Sequence, residues 1–120
     1  MKKELATWRV FVVYLFVLVL MLLCGTVFGQ IQVVVFNAEW NSANKVEWVY
    51  KLEDVQTYAY IDISKDTELQ KKHKIAVIPT IIIFKDDVEV SRFQADLSFK
   101  MVATKEEVQE EINNQIMSDF

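Results

Sequence analysis

The chain has 120 residues, about the length of one domain, with 13 basic and 17 acidic side chains. Three of the basic and one of the acidic residues lie in the first 29 positions, so residues 30–120 carry a net charge of about −6. That acidity argues against nucleic acid or anionic lipid as a partner of the folded part. One cysteine and one histidine exclude a disulfide scaffold and a Cys-based zinc site and leave no imidazole cluster for a metal, and we expect no cofactor.

Residues 1–29 have the form of an export signal. A basic start, with Lys2, Lys3 and Arg9, precedes an apolar run over residues 10–28 that contains no charged side chain. As a helix at about 1.5 Å per residue, this run spans about 28 Å, close to the hydrocarbon thickness of a bilayer. A cleaved signal peptide and a retained membrane anchor are therefore both open alternatives.

Cleavage before Gln30 is favoured by Val27 and Gly29, which provide small residues at positions −3 and −1. Lipidation at Cys24 is a third alternative, which the large Leu23 before it disfavours. In each case the positive flank stays in the cytoplasm, so we expect the folded part in the periplasm or at the extracytoplasmic face of the membrane. Contact with the membrane is expected only through residues 10–28, and only if the leader is uncleaved.

The folded part, residues 30–120, begins with a strand and a helix. Mostly β-branched residues from Gln30 to Phe36 predict a buried strand. Val46, Val49 and Tyr50 then occur at i, i+3 and i+4 spacing, which predicts an α-helix over residues 42–52.

A second strand and helix follow, over residues 57–63 and 66–74. Strands over 80–84 and 88–93 then form a hairpin through a turn at 85–87, a turn without glycine.

The last helix begins sharply at Thr104, because Thr-Lys-Glu-Glu forms a capping box there. Val108, Ile112 and Ile116 provide its buried stripe, and its exposed face carries Glu106, Glu107, Glu110 and Glu111. The element order β-α-β-α-β-β-α predicts an α/β domain: a mixed four-stranded sheet with helices on both faces, preceded by the hydrophobic leader.

Two motifs of this sequence resemble the thioredoxin family. In that family a strand leads into a Trp-Cys-Gly-Pro-Cys-Lys turn that opens a helix, and an Ile-Pro-Thr segment with a cis proline faces the turn. Here Ala38-Glu39-Trp40 and Ile78-Pro79-Thr80 carry the resemblance. Because the family's usual first strand and helix are absent, the resemblance implies a trimmed thioredoxin-like fold.

The resemblance breaks at the active site. Asn41 and Asn44 stand where the family has its two cysteines, and Ser42 and Ala43 separate them. Thiol chemistry needs a thiolate of lowered pKa and a second sulfur to resolve the mixed disulfide, and an amide supplies neither. We therefore expect no enzyme activity. Two further positions depart from the family, with Val35 in place of a buried aspartate and Asn37 where a tryptophan often sits.

Simpler interpretations stand beside these. Asn41 or Ser42 would serve as an N-cap of the helix. Trp40 would be a scaffold aromatic or, as the alternative, a ligand platform. His73 would cap or pack at a helix end.

Trp48 lies roughly 150° from the stripe of the predicted helix, which would expose it as a partner contact. The alternative is a satellite cluster with Leu52 and Val55.

The function predicted from the sequence is an exported, redox-inactive, thioredoxin-like module that binds a protein or extended peptide, with a chaperone-like role, in the cell envelope. Its docking edge would lie beside residues 40–44 and 78–80, where backbone hydrogen bonds hold a peptide. One alternative is a thiol-disulfide oxidoreductase or isomerase that relies on a partner's cysteine. Another is a structural subunit of a membrane assembly, anchored by the N-terminal helix.

Overall fold

The computed structural model describes residues Val12, Val13, Leu15 and 29–118. Nearly all of the predicted leader lies outside these residues. Within them, no helix has the length and apolar character needed to cross a membrane. The described elements in chain order are β1 (Ile31–Asn37), a first 3₁₀ helix (Glu39–Asn44), a second 3₁₀ helix (Glu47–Lys51), β2 (Thr57–Asp62), α1 (Thr67–Lys72), β3 (Thr80–Lys85), β4 (Val88–Gln94) and α2 (Lys105–Met117).

The four strands form one mixed sheet in the order β2-β1-β3-β4. β1 pairs in parallel with β2 and antiparallel with β3, and β3 pairs antiparallel with β4. β1 is central because its apolar residues are buried on both sides of the sheet. The predicted mixed α/β sheet is confirmed.

Two apolar clusters lie on opposite faces of this sheet, because successive side chains of β1 alternate. Val33 and Val35 pack on one face with the second 3₁₀ helix and with Val108 and Ile112 of α2. Val34 and Phe36 pack on the other face, where Leu69 of α1 and the buried Ile75 and Ile78 cover them. Helices on both faces, as predicted, therefore hold the sheet.

The predicted α-helix over residues 42–52 is wrong. Two 3₁₀ helices stand there, separated by extended backbone at Lys45 and Val46. A 3₁₀ helix has three residues per turn, so Val46 and Val49 share a face and are buried, whereas Tyr50 turns outward and is 54% exposed. β-branched and amide side chains are weak helix formers, which explains why no regular α-helix extends through this segment.

The hairpin between β3 and β4 turns at Asp86 and Asp87, as predicted. Both residues have positive φ, 51° and 67°, which two-residue hairpin turns with the twist of the flanking strands require. The Asp86 carboxylate accepts hydrogen bonds from the backbone N–H groups of Gly29 (3.3 Å) and Gln30 (3.1 Å). This turn therefore also fixes the start of β1.

The final helix begins as the sequence predicts. The Thr104 hydroxyl accepts a hydrogen bond from the Glu107 N–H at 3.2 Å, which caps α2. Val108 and Ile112 are fully buried and Ile116 is partly buried. Glu111 differs from the prediction: it is half-buried and accepts a hydrogen bond from Gln115, which lies one turn later.

Replacing Asp87 with glycine should leave the free energy of unfolding unchanged or raise it by up to about 1 kcal/mol, because glycine adopts positive φ without steric cost. Asp86→Gly is the matched control, since it relieves the same backbone conformation but removes the carboxylate that binds Gly29 and Gln30. Urea unfolding should give a higher free energy of unfolding for Asp87→Gly than for Asp86→Gly. A clear loss of stability in Asp87→Gly would contradict this account.

Candidate functional site

The candidate site begins where β1 ends. Ala38 is extended, with φ −136° and ψ 152°, and the Asn41 N–H donates to its carbonyl at 2.9 Å, which starts the first 3₁₀ helix. No side chain caps this start, so the predicted N-cap role of Asn41 or Ser42 is wrong. Asn41 lies inside the helix and is 4% exposed, whereas Ser42 and Ala43 are exposed.

The Asn41 side chain is the centre of a buried amide network. Its Nδ2 donates to Asn37 Oδ1 and to the backbone carbonyl of Phe99, both at 3.1 Å. Its Oδ1 accepts from Asn44 Nδ2 at 2.9 Å. Both donor hydrogens and the acceptor are thereby used, as a buried amide requires.

The network continues through Asn37 into the sheet. Asn37 is fully buried at the end of β1, and its Nδ2 donates to the Tyr60 hydroxyl at 2.8 Å. Burial of the ring raises the pKa of Tyr60, and the bond from Asn37 only partly offsets this. The Lys45 ammonium lies 4.9 Å from the centre of the same ring, a cation–π distance.

Trp40, beside this network, is on the surface. It is 65% exposed, and its ring meets that of Phe99 edge to face, with centroids 5.1 Å apart and planes at 89°. Phe99, Leu97 and Val102 are also exposed. Trp40 therefore combines a packing contact with an exposed surface. We call the exposed side chains of Trp40 and Phe99, which contact each other, the apolar patch.

The loop that carries Phe99 is held by one carboxylate. Asp96 Oδ1 accepts hydrogen bonds from the hydroxyl and the N–H of Ser98 and from the N–H of Lys100. These bonds, the Ser98 hydroxyl first, lower the pKa of Asp96 below its usual value. A bridge between Ala95 and Met101 closes the loop. The loop thus brings the Phe99 carbonyl to Asn41 and the Phe99 ring to Trp40.

The proline segment lies at the start of β3. The Ile78-Pro79 bond is cis, as the resemblance implied. The Pro79 carbonyl accepts from the Ala95 N–H at 3.0 Å, and the buried Thr80 hydroxyl donates to the Val77 carbonyl. The Ile78 side chain packs in the same cluster as Ala38, whereas its backbone N–H and carbonyl bind no other described residue.

Two other residues singled out in the sequence have packing roles. Trp48 is half-buried against the first apolar cluster, as is Val55, so the exposure expected for it from α-helical geometry is not found. His73 ends α1 and is half-buried between the rings of Phe36 and Phe84, with centroids 5.5 and 5.6 Å away. The packing interpretation of His73 is confirmed.

Sequence reasoning missed three parts of the site: the role of Asn37, Tyr60 and the Phe99 loop. A signal was present for Asn37, since Asn37, Asn41 and Asn44 recur at spacings of four and three. For the loop, the Asp96-Leu97-Ser98 sequence is typical of an Asx turn. No local pattern connects the loop to residues 40–44, because 58 positions separate Asn41 from Phe99.

The described fold is similar to solved thioredoxin structures. A mutant thioredoxin from Halobacterium salinarum has a TM-score of 0.58 and 17% identity, over 72% of this chain and 75% of that one. Schistosoma mansoni thioredoxin has a TM-score of 0.56 and 21% identity, over 79% and 85%. Fasciola hepatica thioredoxin has 0.54 and 28%, over 80% and 90%. No protein-family model and no curated protein matches the chain.

Proposed function

We propose that this chain, which is thioredoxin-like in its fold, is an exported, redox-inactive domain that binds another protein in the cell envelope. One observation carries the proposal. The side chain in the place of the family's first cysteine is a buried amide, Asn41, with every hydrogen-bonding group engaged inside the protein.

The chemistry of this position supports a loss of redox function. A disulfide exchange needs an attacking thiolate that can reach the substrate's sulfur and a second thiol that releases the product. Asn41 and Asn44 bind each other and provide no nucleophile. The sequence has a single cysteine, Cys24, which lies in the predicted leader. The amides instead stabilise the turn from within.

The surface around the turn supports a binding role. The apolar patch combines an exposed indole with an exposed phenyl ring, and aromatic residues of this kind are enriched where proteins meet. The backbone N–H and carbonyl of Ile78, which bind no other residue within 29–118, would offer an extended peptide one donor and one acceptor. A peptide bound there would use backbone hydrogen bonds and the patch, which is how a chaperone-like module accepts varied sequences.

Export is proposed from the basic start and the uncharged run over residues 10–28. A reporter enzyme that is active only outside the cytoplasm, fused after Phe120, should be active in intact cells. A matched fusion in which Leu15 and Leu18 are both changed to arginine should be inactive, because charges in the run oppose membrane insertion. Activity of a cytoplasm-restricted reporter in the parent fusion would contradict the export.

Binding at the patch is tested by site-specific cross-linking in intact cells. A photoreactive amino acid in place of Leu97, which is 92% exposed, should give one dominant protein adduct. Trp40→Ala should weaken that adduct at least tenfold, since removal of an aromatic hot-spot residue costs about 2 kcal/mol or more of binding. The same photoreactive residue at Val88, exposed at the start of β4, is the control and should give no such adduct.

Equal adducts at both positions, unaffected by Trp40→Ala, would contradict a binding surface at the turn. The protein should also fail to accelerate the reduction of insulin by dithiothreitol. Acceleration would instead favour the alternative of an oxidoreductase or isomerase that uses a partner's cysteine.

A further inference from the structure

The outer edge of β2 is unpaired among residues 29–118. Among these residues, β2 pairs only with β1. The Ile63 N–H donates to the Asn37 carbonyl at 2.9 Å, and this bond determines which alternate residues of β2 turn their backbone groups toward β1. In this phase the N–H and C=O groups of Ala59 and Ile61 face β1. The corresponding groups of Tyr58 and Tyr60 face away from the sheet.

Within residues 29–118, this edge has few of the devices that keep a strand from pairing with another chain, and Asp62 is the one charged residue of β2. Its sequence, Thr-Tyr-Ala-Tyr-Ile-Asp, has strong β propensity and contains no lysine, proline or bulge. The opposite edge, β4, has a register irregularity beside Ile83 and Phe84 and an ion pair between Glu89 and Arg92 at 2.7 Å. The β4 edge is therefore protected against pairing with another chain, whereas the β2 edge is open to it.

We propose that β2 pairs antiparallel with β2 of a second copy of this chain, about a two-fold axis at Ala59. The register follows from the free backbone groups. The Asp62 carbonyl already accepts from the N–H groups of Lys65 and Asp66. Within residues 29–118, Tyr58 and Tyr60 are therefore the β2 residues whose outward N–H and C=O groups both lack a partner. When Tyr58 lies opposite Tyr60 of the second copy, each of these N–H and C=O groups forms a hydrogen bond. The two-fold axis repeats the pair, so two Tyr58–Tyr60 pairs form with two hydrogen bonds each.

The charges and side chains fit this register. Tyr58 and Tyr60 lie on the same face of the sheet, so each copy places an aromatic ring beside one of the other. Asp62 lies opposite Gln56 of the second copy, so no carboxylate faces another. The end of β2 near Lys65 meets the end near Glu53 and Asp54 of the second copy. All three residues are exposed, and Lys65 lies 3.6 Å from Glu39 of its own chain. The two chains thus join into one eight-stranded sheet without using the apolar patch, so this inference is independent of the proposed function.

Oxidative cross-linking tests the register in the full chain, solubilised in detergent. The two copies of Ala59 form a non-hydrogen-bonded pair, with Cα atoms about 4.5 Å apart, within the range that a disulfide spans. Ala59→Cys combined with Cys24→Ser should therefore give a disulfide-linked dimer. Val88→Cys with Cys24→Ser, exposed at the other edge, is the control and should stay monomeric on a non-reducing gel. Equal cross-linking of both would overturn the proposal.

Placing a charged side chain at Ala59 distinguishes dimerisation through β2 from dimerisation through the leader. Ala59 lines a groove of about 290 Å³, which has room for a longer side chain. Ala59→Lys should raise the dimer dissociation constant about fivefold, because like charges lie directly opposite, and so should Ala59→Glu. Mixing the two variants should restore dimers of one copy each.

Three results would overturn the proposal. A parent chain that is monomeric at all concentrations would show that β2 does not pair with a second copy. Dimers of the Ala59→Lys variant as tight as the parent's would place the association elsewhere, in the leader. A parent that forms only mixed complexes with another protein would assign the edge to that partner.

Discussion

The site depends on one constraint, the need of a buried amide for hydrogen-bond partners. An unsatisfied polar group inside a protein costs about 1–3 kcal/mol, so Asn41 is tolerated at 4% exposure only because three partners converge on it. Those partners come from different parts of the chain. Asn37 belongs to the end of β1, Asn44 to the same 3₁₀ helix, and the carbonyl of Phe99 to a loop 58 positions away.

This convergence explains how the turn at Asn41 and the apolar patch are held in place. The network fixes the turn relative to the sheet, through Asn37 and Tyr60, and relative to the loop, through Phe99. Asp96 in turn fixes the loop, so Trp40 and Phe99 are held edge to face while both stay exposed. Rigid aromatic side chains lose little conformational entropy on binding, which suits the proposed role of the patch.

Much of the fold could be predicted from the sequence, because it rests on local signals. The β-branched run of β1, the Thr104 cap and the two aspartates of the hairpin each specify their element within a few residues. The prediction of an α-helix over residues 42–52 was wrong because the i, i+3 spacing of Val46 and Val49 fits a 3₁₀ helix as well as an α-helix. Only Tyr50, at i+4, would lie on the same face in an α-helix and not in a 3₁₀ helix. The ring contact of Trp40 with Phe99 and the hydrogen bond from Asn41 to the Phe99 carbonyl could not be predicted, because both depend on a loop that is distant in the sequence.

The central claim is that the Asn41 amide organises the turn, and its removal is the most direct test. Asn41→Ala should lower the free energy of unfolding by about 1–3 kcal/mol, since Asn37 Oδ1 and the Phe99 carbonyl lose their donor. Asn44→Ala removes one of the three bonds and leaves only Asn41 Oδ1 without a donor, so it should cost less, about 1 kcal/mol. Urea unfolding of the two variants measures the difference. An Asn41→Ala protein as stable as the parent, or no less stable than Asn44→Ala, would contradict the account.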